Sequence, residues 1–490
     1  MKSFNLNLLN IRNPVVLKSL GILALLFALP VVAARLELPE MGDTSSASVS
    51  PAVERIIGED LLRQIRAQLP TIDDPILKYY TELHLYNLAV HSEVKDKSLH
   101  PVLIDSSDIN AFAAPGGVVG INAGLYLFAH DIHEFSSVLA HELAHLSQRH
   151  FARGIEVQQR QALPYIASLL GAILIAAAAG GEAGMAAISA AQGVAQMGQL
   201  RYSRSREQEA DRLGVDTLYA AGFDPGGMSR MFGRMQRAFR FDRRPPEFML
   251  THPVTESRIS DARNQSVKYK EFKGSDSPEY KMMRARVQIY YAATPVAAIT
   301  LFRDQISRGD RSDAAFYGLA VAQAKAGKFG EALESSKLLH QKKPESLLLA
   351  ISYAEILVMA GRTREAIDLL IGLLEINPDN QPMSMILSQA YTKEKRFNEA
   401  VAVLKTQSVL HPNDHDIWYE LAEITGLAGD VIGVHLARAE FFALVGNYRK
   451  AVEHLEYARG LSDRDNFKLS AKLNQRIIDF QDAMQERKRA

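Results

Sequence analysis

The chain has 490 residues, of which 47% are hydrophobic and 23% charged, so it is long enough for two or three globular domains. Lysine plus arginine and aspartate plus glutamate both number 56, and this balance gives no electrostatic basis for nucleic-acid binding. Cysteine is absent, which excludes disulfide bonds and leaves histidine, aspartate and glutamate as the available metal ligands.

Residues 1–34 follow the pattern of a secretory signal peptide. Three basic residues precede an uncharged run over residues 19–34, and this run ends in small side chains. We predict cleavage near Ala34 and export from the cytoplasm. An uncleaved membrane anchor is the alternative, but the run is shorter than the roughly 18–20 residues that span a bilayer, and Pro30 interrupts it.

Residues 35–270 are predicted to form a mostly α-helical domain with a small β element. After a lead-in rich in serine and proline, helical patterns fill most of this range, and residues 117–122 form a strand-like segment. The polar, turn-prone stretch 271–278 is typical of a domain boundary. We therefore place a second domain in residues 279–487.

The first motif that carries chemistry is His141-Glu-Leu-Ala-His145. On an α-helix its two histidines lie one turn apart on the same face, where they can hold one metal ion. Glu142 projects beside them and can act as a general base. Asp131 and Glu134 form a capping signature that supports the helix independently. A solvated or hydrogen-bonded histidine pair is the alternative.

A third metal ligand has to come from another part of the chain. One class of zinc peptidases uses a histidine six residues after the second one, but this chain has Phe151 there. His150 lies five residues past His145 and would point elsewhere on a continuous helix. Neither position therefore completes the site.

The stretch 165–198 is unusually apolar. Residues 165–179 are apolar except for Ser168, and alanine- and glycine-rich sequence follows. A run of about 15 residues is short for a membrane span. We predict a buried or flexible helical hairpin over the site, with peripheral membrane contact as the alternative.

The best candidate for the third ligand is Glu207, with Asp211 four residues later on the same helical face. Glu207 would complete a His₂Glu site with an open fourth position. Asp211 would hydrogen-bond the far nitrogen of a ligand histidine, and His141 is the expected partner. The alternative is a solvated acidic helix face, and we expect Glu209 to belong to one.

The C-terminal part of the sequence is periodic. One constant interval separates Pro344, Pro378 and Pro412, and the same interval separates Ala298, Ala332, Ala366 and Ala400. An interval of about 34 residues, with small residues where two helices cross and a proline after the second helix, resembles the tetratricopeptide repeat. We predict an α-solenoid of at least four repeats whose fourth unit drifts out of register after Trp418.

Together the motifs resemble the M48 metallopeptidases. The resemblance rests on His-Glu-Leu-Ala-His, on the E-x-E-A-D-x-x-G segment 207–214, and on Asn-Ala-Phe-Ala-Ala-Pro-Gly-Gly at 110–117. It implies a zincin-type domain with one Zn²⁺ per chain and Glu207 as the third ligand. It also implies an edge strand that pairs with extended substrate. The residues of that strand would be Asn110, Ala111, Phe112 and Ala113.

The resemblance also implies a role for His252, in the segment Thr-His-Pro-Val-Thr-Glu-Ser-Arg. It would occupy the open zinc position and hold the enzyme latent. Imidazole binds zinc well and would displace the catalytic water. By residue type alone, a single histidine before proline is more often a structural or surface residue.

The implied setting is the periplasm of a Gram-negative bacterium. The enzyme would be a zinc metalloendopeptidase that cleaves misfolded or misassembled outer-membrane proteins. Its repeats would recruit protein clients or the outer-membrane β-barrel assembly machinery in their concave face. We expect a monomer. A periplasmic chaperone or scaffold with a latent or vestigial protease site is the alternative.

Overall fold

The computed structural model describes residues 49–156, 204–241, 245–270, 272, 274, 276–463 and 465–489. The predicted signal peptide and the apolar segment 165–198 lie outside these ranges. In the part that the structure describes, no helix is both long enough and apolar enough to cross a membrane.

The N-terminal part contains a three-stranded sheet and helices. The strands are β1 (His100–Ile104), β2 (Ala111–Ala114) and β3 (Val118–Asn122). The helices described there are α1 (Pro51–Gln68), α2 (Pro75–Val90), α3 (Gly124–Phe128), α4 (Ile132–Ser147), α5 (His150–Glu156), α6 (Arg204–Ala220), α7 (Gly227–Phe239), α8 (Glu247–Thr251) and α9 (Glu256–Ser266).

The C-terminal part consists of paired helices. Those that the structure describes are α10 (Pro278–Tyr290), α11 (Pro295–Ser307), α12 (Asp313–Lys325), α13 (Phe329–Lys342), α14 (Leu347–Met359), α15 (Thr363–Ile376), α16 (Gln381–Lys393), α17 (Phe397–Leu410), α18 (His415–Leu427), α19 (Val431–Leu444), α20 (Tyr448–Leu461) and α21 (Phe467–Arg489). The predicted fold class, mostly α with a small sheet and a helical repeat array, is confirmed.

The sheet has the strand order β1-β3-β2. The predicted strand at 117–122 corresponds to β3, which is buried along its whole length and lies in the centre. β1 runs parallel to β3, and β2 runs antiparallel to it. Apolar residues of α1, such as Leu61 and Ile65, pack with Val102 and Val118 of the sheet. This packing leaves β2 as an edge strand next to α4.

Helix α4 begins where its capping signature predicts. Asp131 is the N-cap, and its Oδ1 accepts a hydrogen bond from the Glu134 backbone N–H at 2.8 Å. Glu134 reaches back and accepts from the His130 N–H at 2.9 Å. The helix is buried from Ile132 to His145, so its motif lies inside the protein rather than on a solvated face.

The expectation of a continuous helix past His145 is wrong. Helix α4 ends at Ser147, and Arg149 has a left-handed backbone with φ of 48° before α5 starts at His150. The Arg149 side chain stabilises this turn by donating to Glu54 at 3.0 Å and to the Val49 carbonyl at 2.6 Å. The turn brings the first residue of α5, His150, beside the motif.

Helix α6 crosses α4 at a glycine. A side-chain carbon on Gly214 would lie 2.7 Å from Met228 Cε and 3.3 Å from the His141 backbone nitrogen. Glycine therefore allows the two helices to come close without displacing Met228 or the α4 backbone. The close crossing brings the acidic residues of α6 to the face of α4 that carries His141 and His145.

The helix starts confirm the period of the repeats. Helices α12, α14, α16 and α18 begin at equivalent positions, namely Asp313, Leu347, Gln381 and His415. The four periodic alanines have no exposed surface, because they lie where paired helices touch. The predicted loss of register directly after Trp418 is wrong, since α19 begins at Val431, one full period after α17 begins at Phe397. The spacing changes later, at α20 and α21.

Helix α10 belongs to both parts of the molecule. Tyr280 is fully buried, and its hydroxyl donates to the Ala129 carbonyl at 3.1 Å. The buried Arg286 donates to Asp74 at 2.7 Å and to Glu355 at 2.5 Å. One apolar cluster continues from the N-terminal part through the repeats. The boundary at 271–278 stays a prediction.

Later repeats also contact the N-terminal part. Lys78 of α2 forms an ion pair with Asp416 of α18. Arg66 of α1 donates to the Asn413 carbonyl at 2.8 Å. These contacts join positions that are far apart in the sequence, so the array folds back against the domain that carries the motifs.

Candidate metal centre

Four buried side chains converge at the crossing of α4 and α6. They are His141, His145, Glu207 and His252, and none is more than 3% exposed. The two α4 histidines place their Nε2 atoms 3.0 Å apart. Glu207 oxygens lie 3.6 Å from His141 Nε2 and 3.5 Å from His145 Nε2. His252, directly after α8, places Nδ1 3.2 Å from Glu207.

These separations fit a tetrahedral metal ion. Bonds of about 2.0–2.1 Å in a tetrahedron place neighbouring ligand atoms about 3.3 Å apart. The donor atoms of the cluster are imidazole nitrogens and a carboxylate oxygen, which together suit zinc. The residues present therefore fit a zinc ion without any change of backbone.

Glu142 lies between this cluster and the edge strand. Its Oε2 accepts a hydrogen bond from the Ala113 N–H of β2 at 2.9 Å, and its Oε1 lies 3.5 Å from His252 Nε2. Burial raises the pKa of the Glu142 carboxyl above its ordinary value. A buried carboxylate with a raised pKa is a stronger proton acceptor than one in water.

Asp211 lies beside His141 as its helical spacing predicts, whereas the contact of Arg258 with Asp211 was not predicted. Asp211 Oδ1 lies 3.0 Å from His141 Nδ1. Arg258 donates to both oxygens of Asp211 at 2.7 Å, and its Nη1 lies 2.9 Å from Glu207. All of these groups are buried. Arg258 ends the Thr-His-Pro-Val-Thr-Glu-Ser-Arg segment, so it could have been found in the motif used for His252.

The pKa values of His141 and His145 are shifted in opposite directions. Burial opposes protonation of His141, but Asp211 and Glu207 outweigh it and raise its pKa to about 9. Burial and the neighbouring His141 lower the pKa of His145 well below its ordinary value. A metal that binds through His141 Nε2 must therefore displace a proton from that ring.

His150 and Glu209 lie in unexpected places. The turn at Arg149 directs His150 back toward the motif, so that its Nδ1 lies 2.7 Å from His145 Nδ1. Glu209 Oε2 lies 3.1 Å from His150 Nε2 and 3.4 Å from Arg153. The expectation that Glu209 is simply solvated is wrong, although its side chain is 37% exposed.

Two buried histidines and a glutamate on crossing helices, with a further glutamate beside an edge strand, form an arrangement typical of metallopeptidases. The family model for "Peptidase family M48" matches residues 80–266. The model for the "Tetratricopeptide repeat" matches twice, at residues 323–390 and 357–424.

Curated relatives match along most of the chain. The "Beta-barrel assembly-enhancing protease" of Yersinia pestis is 32% identical over 417 residues, which cover 85% of this chain and 86% of that protein. The protein of the same name from Escherichia coli is 31% identical over 423 residues, 86% of each chain. "Metalloendopeptidase OMA1, mitochondrial" of Bos taurus is 32% identical over 165 residues, 31% of this chain and 29% of that protein. The chain belongs to peptidase family M48 and is a metalloendopeptidase with tetratricopeptide repeats.

Proposed function

We propose that the protein is a periplasmic zinc endopeptidase that hydrolyses misfolded or misassembled outer-membrane proteins. The observation that carries the proposal is the buried group of His141, His145 and Glu207 with Glu142 beside it. The names of the relatives from Yersinia pestis and Escherichia coli, which refer to β-barrel assembly, support the choice of substrate class.

In this proposal His141, His145 and Glu207 hold the metal. Bound zinc would lower the pKa of water to about 7 and polarise the substrate carbonyl. Glu142 takes the proton from the attacking water and passes it to the leaving amine. Asp211 orients the His141 ring through Nδ1, and Arg258 keeps Asp211 ionised.

The edge strand β2 is proposed to bind substrate as an added strand. Its Ala113 N–H donates to Glu142 rather than to β3, so this donor lies on the open edge. A substrate carbonyl that takes this donor would release Glu142 for proton transfer. Within the predicted strand, Asn110 and Ala111 are buried, whereas Phe112 and Ala113 are partly exposed.

His252 is proposed to act as a latch. Its Nδ1 lies 3.3 Å from His141 Nε2 and 3.2 Å from Glu207, where a fourth zinc ligand would lie. Its ring is buried, so substrate can reach this position only after His252 leaves. The peptide that follows it, Pro253 to Thr255, connects α8 to α9 and would move with it.

Replacing His252 with alanine is expected to raise hydrolysis of an unstructured protein substrate. The increase should be about 10-fold if the open state is about one-tenth populated in the wild type. Initial rates at saturating zinc measure it. Thr251→Ala is the matched control, because Thr251 is exposed and contacts only α8 carbonyls among its described hydrogen bonds. A hydrolysis rate of His252→Ala at or below that of the wild type would contradict the proposed latch role of His252.

The repeats are proposed to recruit clients or the outer-membrane β-barrel assembly machinery in their concave face. Tetratricopeptide repeats are protein-binding arrays, which supports this role. A scaffold or chaperone with a latent site is the second candidate, because a buried His252 in the proposed fourth position would keep the site closed. The two differ in their need for Glu142, which only the peptidase requires.

Metal analysis tests the zinc centre directly. Purified full-length protein is expected to contain one zinc per chain, to lose hydrolytic activity on chelation and to regain it with zinc. Chelation should leave most helical structure intact, because the site lies in a part of the chain that an extensive apolar core already stabilises. Full activity after complete removal of metal would contradict the proposal.

A further inference from the structure

The far nitrogens of the two proposed ligand histidines are held in different ways. His141 Nδ1 faces the carboxylate of Asp211 directly, at 3.0 Å. His145 Nδ1 instead faces a second imidazole, His150, whose other nitrogen faces Glu209. We infer that His150 and Glu209 form a hydrogen-bonded relay that positions His145 for the metal. This inference rests on the proposed zinc centre.

The proton positions in the relay follow from its geometry. His145 Nε2 faces the cluster, 3.5 Å from Glu207, so its lone pair must be free for a metal and its proton must be on Nδ1. His150 Nδ1, 2.7 Å away, must then accept that proton as a hydrogen bond. The His150 proton is consequently on Nε2, which donates to Glu209 at 3.1 Å. Each contact therefore has one donor and one acceptor.

The surrounding backbone is built to hold His150 in this orientation. The left-handed residue Arg149 starts the turn, and its own side chain is anchored to α1 through Glu54. Arg206 of α6 donates to the Arg153 carbonyl at 3.1 Å, which ties α5 to the helix that carries Glu209. The His150 ring has no exposed surface, so water does not compete for its nitrogens.

The relay gives the acidic residues of the α6 motif complementary tasks. Glu207 is the proposed ligand, Asp211 supports His141, and Glu209 supports His145 through His150. A carboxylate behind a ligand imidazole fixes its tautomer and makes it a better metal ligand. The indirect route lets Glu209 stay 37% exposed while it serves a buried ring.

Zinc affinity of the full chain, measured at fixed pH by competition with a chromophoric chelator, tests the relay. His150→Leu removes the acceptor and should weaken zinc binding by about 10–100-fold. His150→Gln keeps an oxygen acceptor for His145 and should retain most of the affinity. Glu209→Leu should weaken binding in the same direction, and its partly exposed position argues against misfolding as the cause of the change.

Glu59→Leu is the matched control for Glu209→Leu. Glu59 is an exposed carboxylate paired with Arg63 at 3.0 Å, as Glu209 is paired with Arg153. The Glu59→Leu substitution should leave zinc affinity unchanged. Nitrogen chemical shifts of the zinc-loaded wild type should show His145 protonated at Nδ1 and His150 at Nε2.

Three results would overturn the relay. The first is a zinc affinity equal to that of the wild type in both His150→Leu and Glu209→Leu. The second is an equal loss of zinc affinity in His150→Leu and His150→Gln, since a change in packing alone would then explain the loss. The opposite tautomer of His150 is the third. Absence of zinc binding by the wild type would instead remove the proposed zinc centre, and the relay would fall with it.

Discussion

Replacement of Glu142 by glutamine is expected to lower peptide hydrolysis by about 10²–10⁴-fold, the usual contribution of a general base. Glutamine keeps an oxygen that can accept from the Ala113 N–H, so the contact with β2 survives. It also removes a buried carboxyl whose pKa burial raises, so the free energy of unfolding should not fall. Zinc content should remain that of the wild type.

The comparison needs both a rate and a binding measurement. Hydrolysis of an unstructured substrate, zinc stoichiometry and client binding should be determined on the same preparation. Glu59 is an exposed carboxylate on α1, and the control variant Glu59→Gln should retain full activity. Client turnover by Glu142→Gln at the rate of the wild type would exclude the peptidase mechanism and favour the scaffold.

Replacement of Arg258 by leucine is expected to lower the free energy of unfolding of the metal-free protein by about 3–5 kcal/mol. Arg258 is 3% exposed and binds Asp211 with two hydrogen bonds, so its loss removes a guanidinium that pairs with buried carboxylates. Zinc at the cluster would offset part of this cost, because it neutralises the neighbouring Glu207. The loss should therefore be smaller in the zinc-loaded protein.

Urea unfolding with and without zinc measures both values. Arg212→Leu is the matched control, since Arg212 also makes two hydrogen bonds to one aspartate, Asp261, but its side chain is 56% exposed. That exposed pair should contribute about 1 kcal/mol or less. Equal losses for the two arginines, or a loss that zinc does not reduce, would contradict the assigned role of Arg258.

Local patterns were enough to predict much of the architecture. The N-cap at Asp131 and the buried helix behind it follow from residues within a few positions of one another. The repeat array was predictable because the same sequence period recurs in each helix pair. No local rule relates residues on elements that lie so far apart in the sequence. The proximity of Glu207 to His141 and His145 was therefore predictable only from a second motif, the one that contains Glu207. That these residues bind zinc stays a prediction.

Predictions from local sequence fail where distant contacts override a local pattern. Nothing in the residues near Arg149 signals a left-handed backbone, which is costly without a glycine. The turn is stable because Arg149 contacts Glu54 and Val49, which lie far earlier in the chain. His150 and Glu209 therefore meet through tertiary structure, and helical spacing alone cannot place either one.

Helix α10 makes the fold of the N-terminal part, which carries the proposed active site, dependent on the C-terminal part. Its Tyr280 stacks on Tyr126 with ring centres 5.6 Å apart, and both lie among the fully buried side chains of the core. A truncation at 271–278 would thus remove a core residue from the catalytic half and expose apolar surface. The two halves should melt in one cooperative transition, and neither should be autonomous. Client recruitment by the repeats and peptide hydrolysis by the N-terminal part would then both depend on the same folding equilibrium.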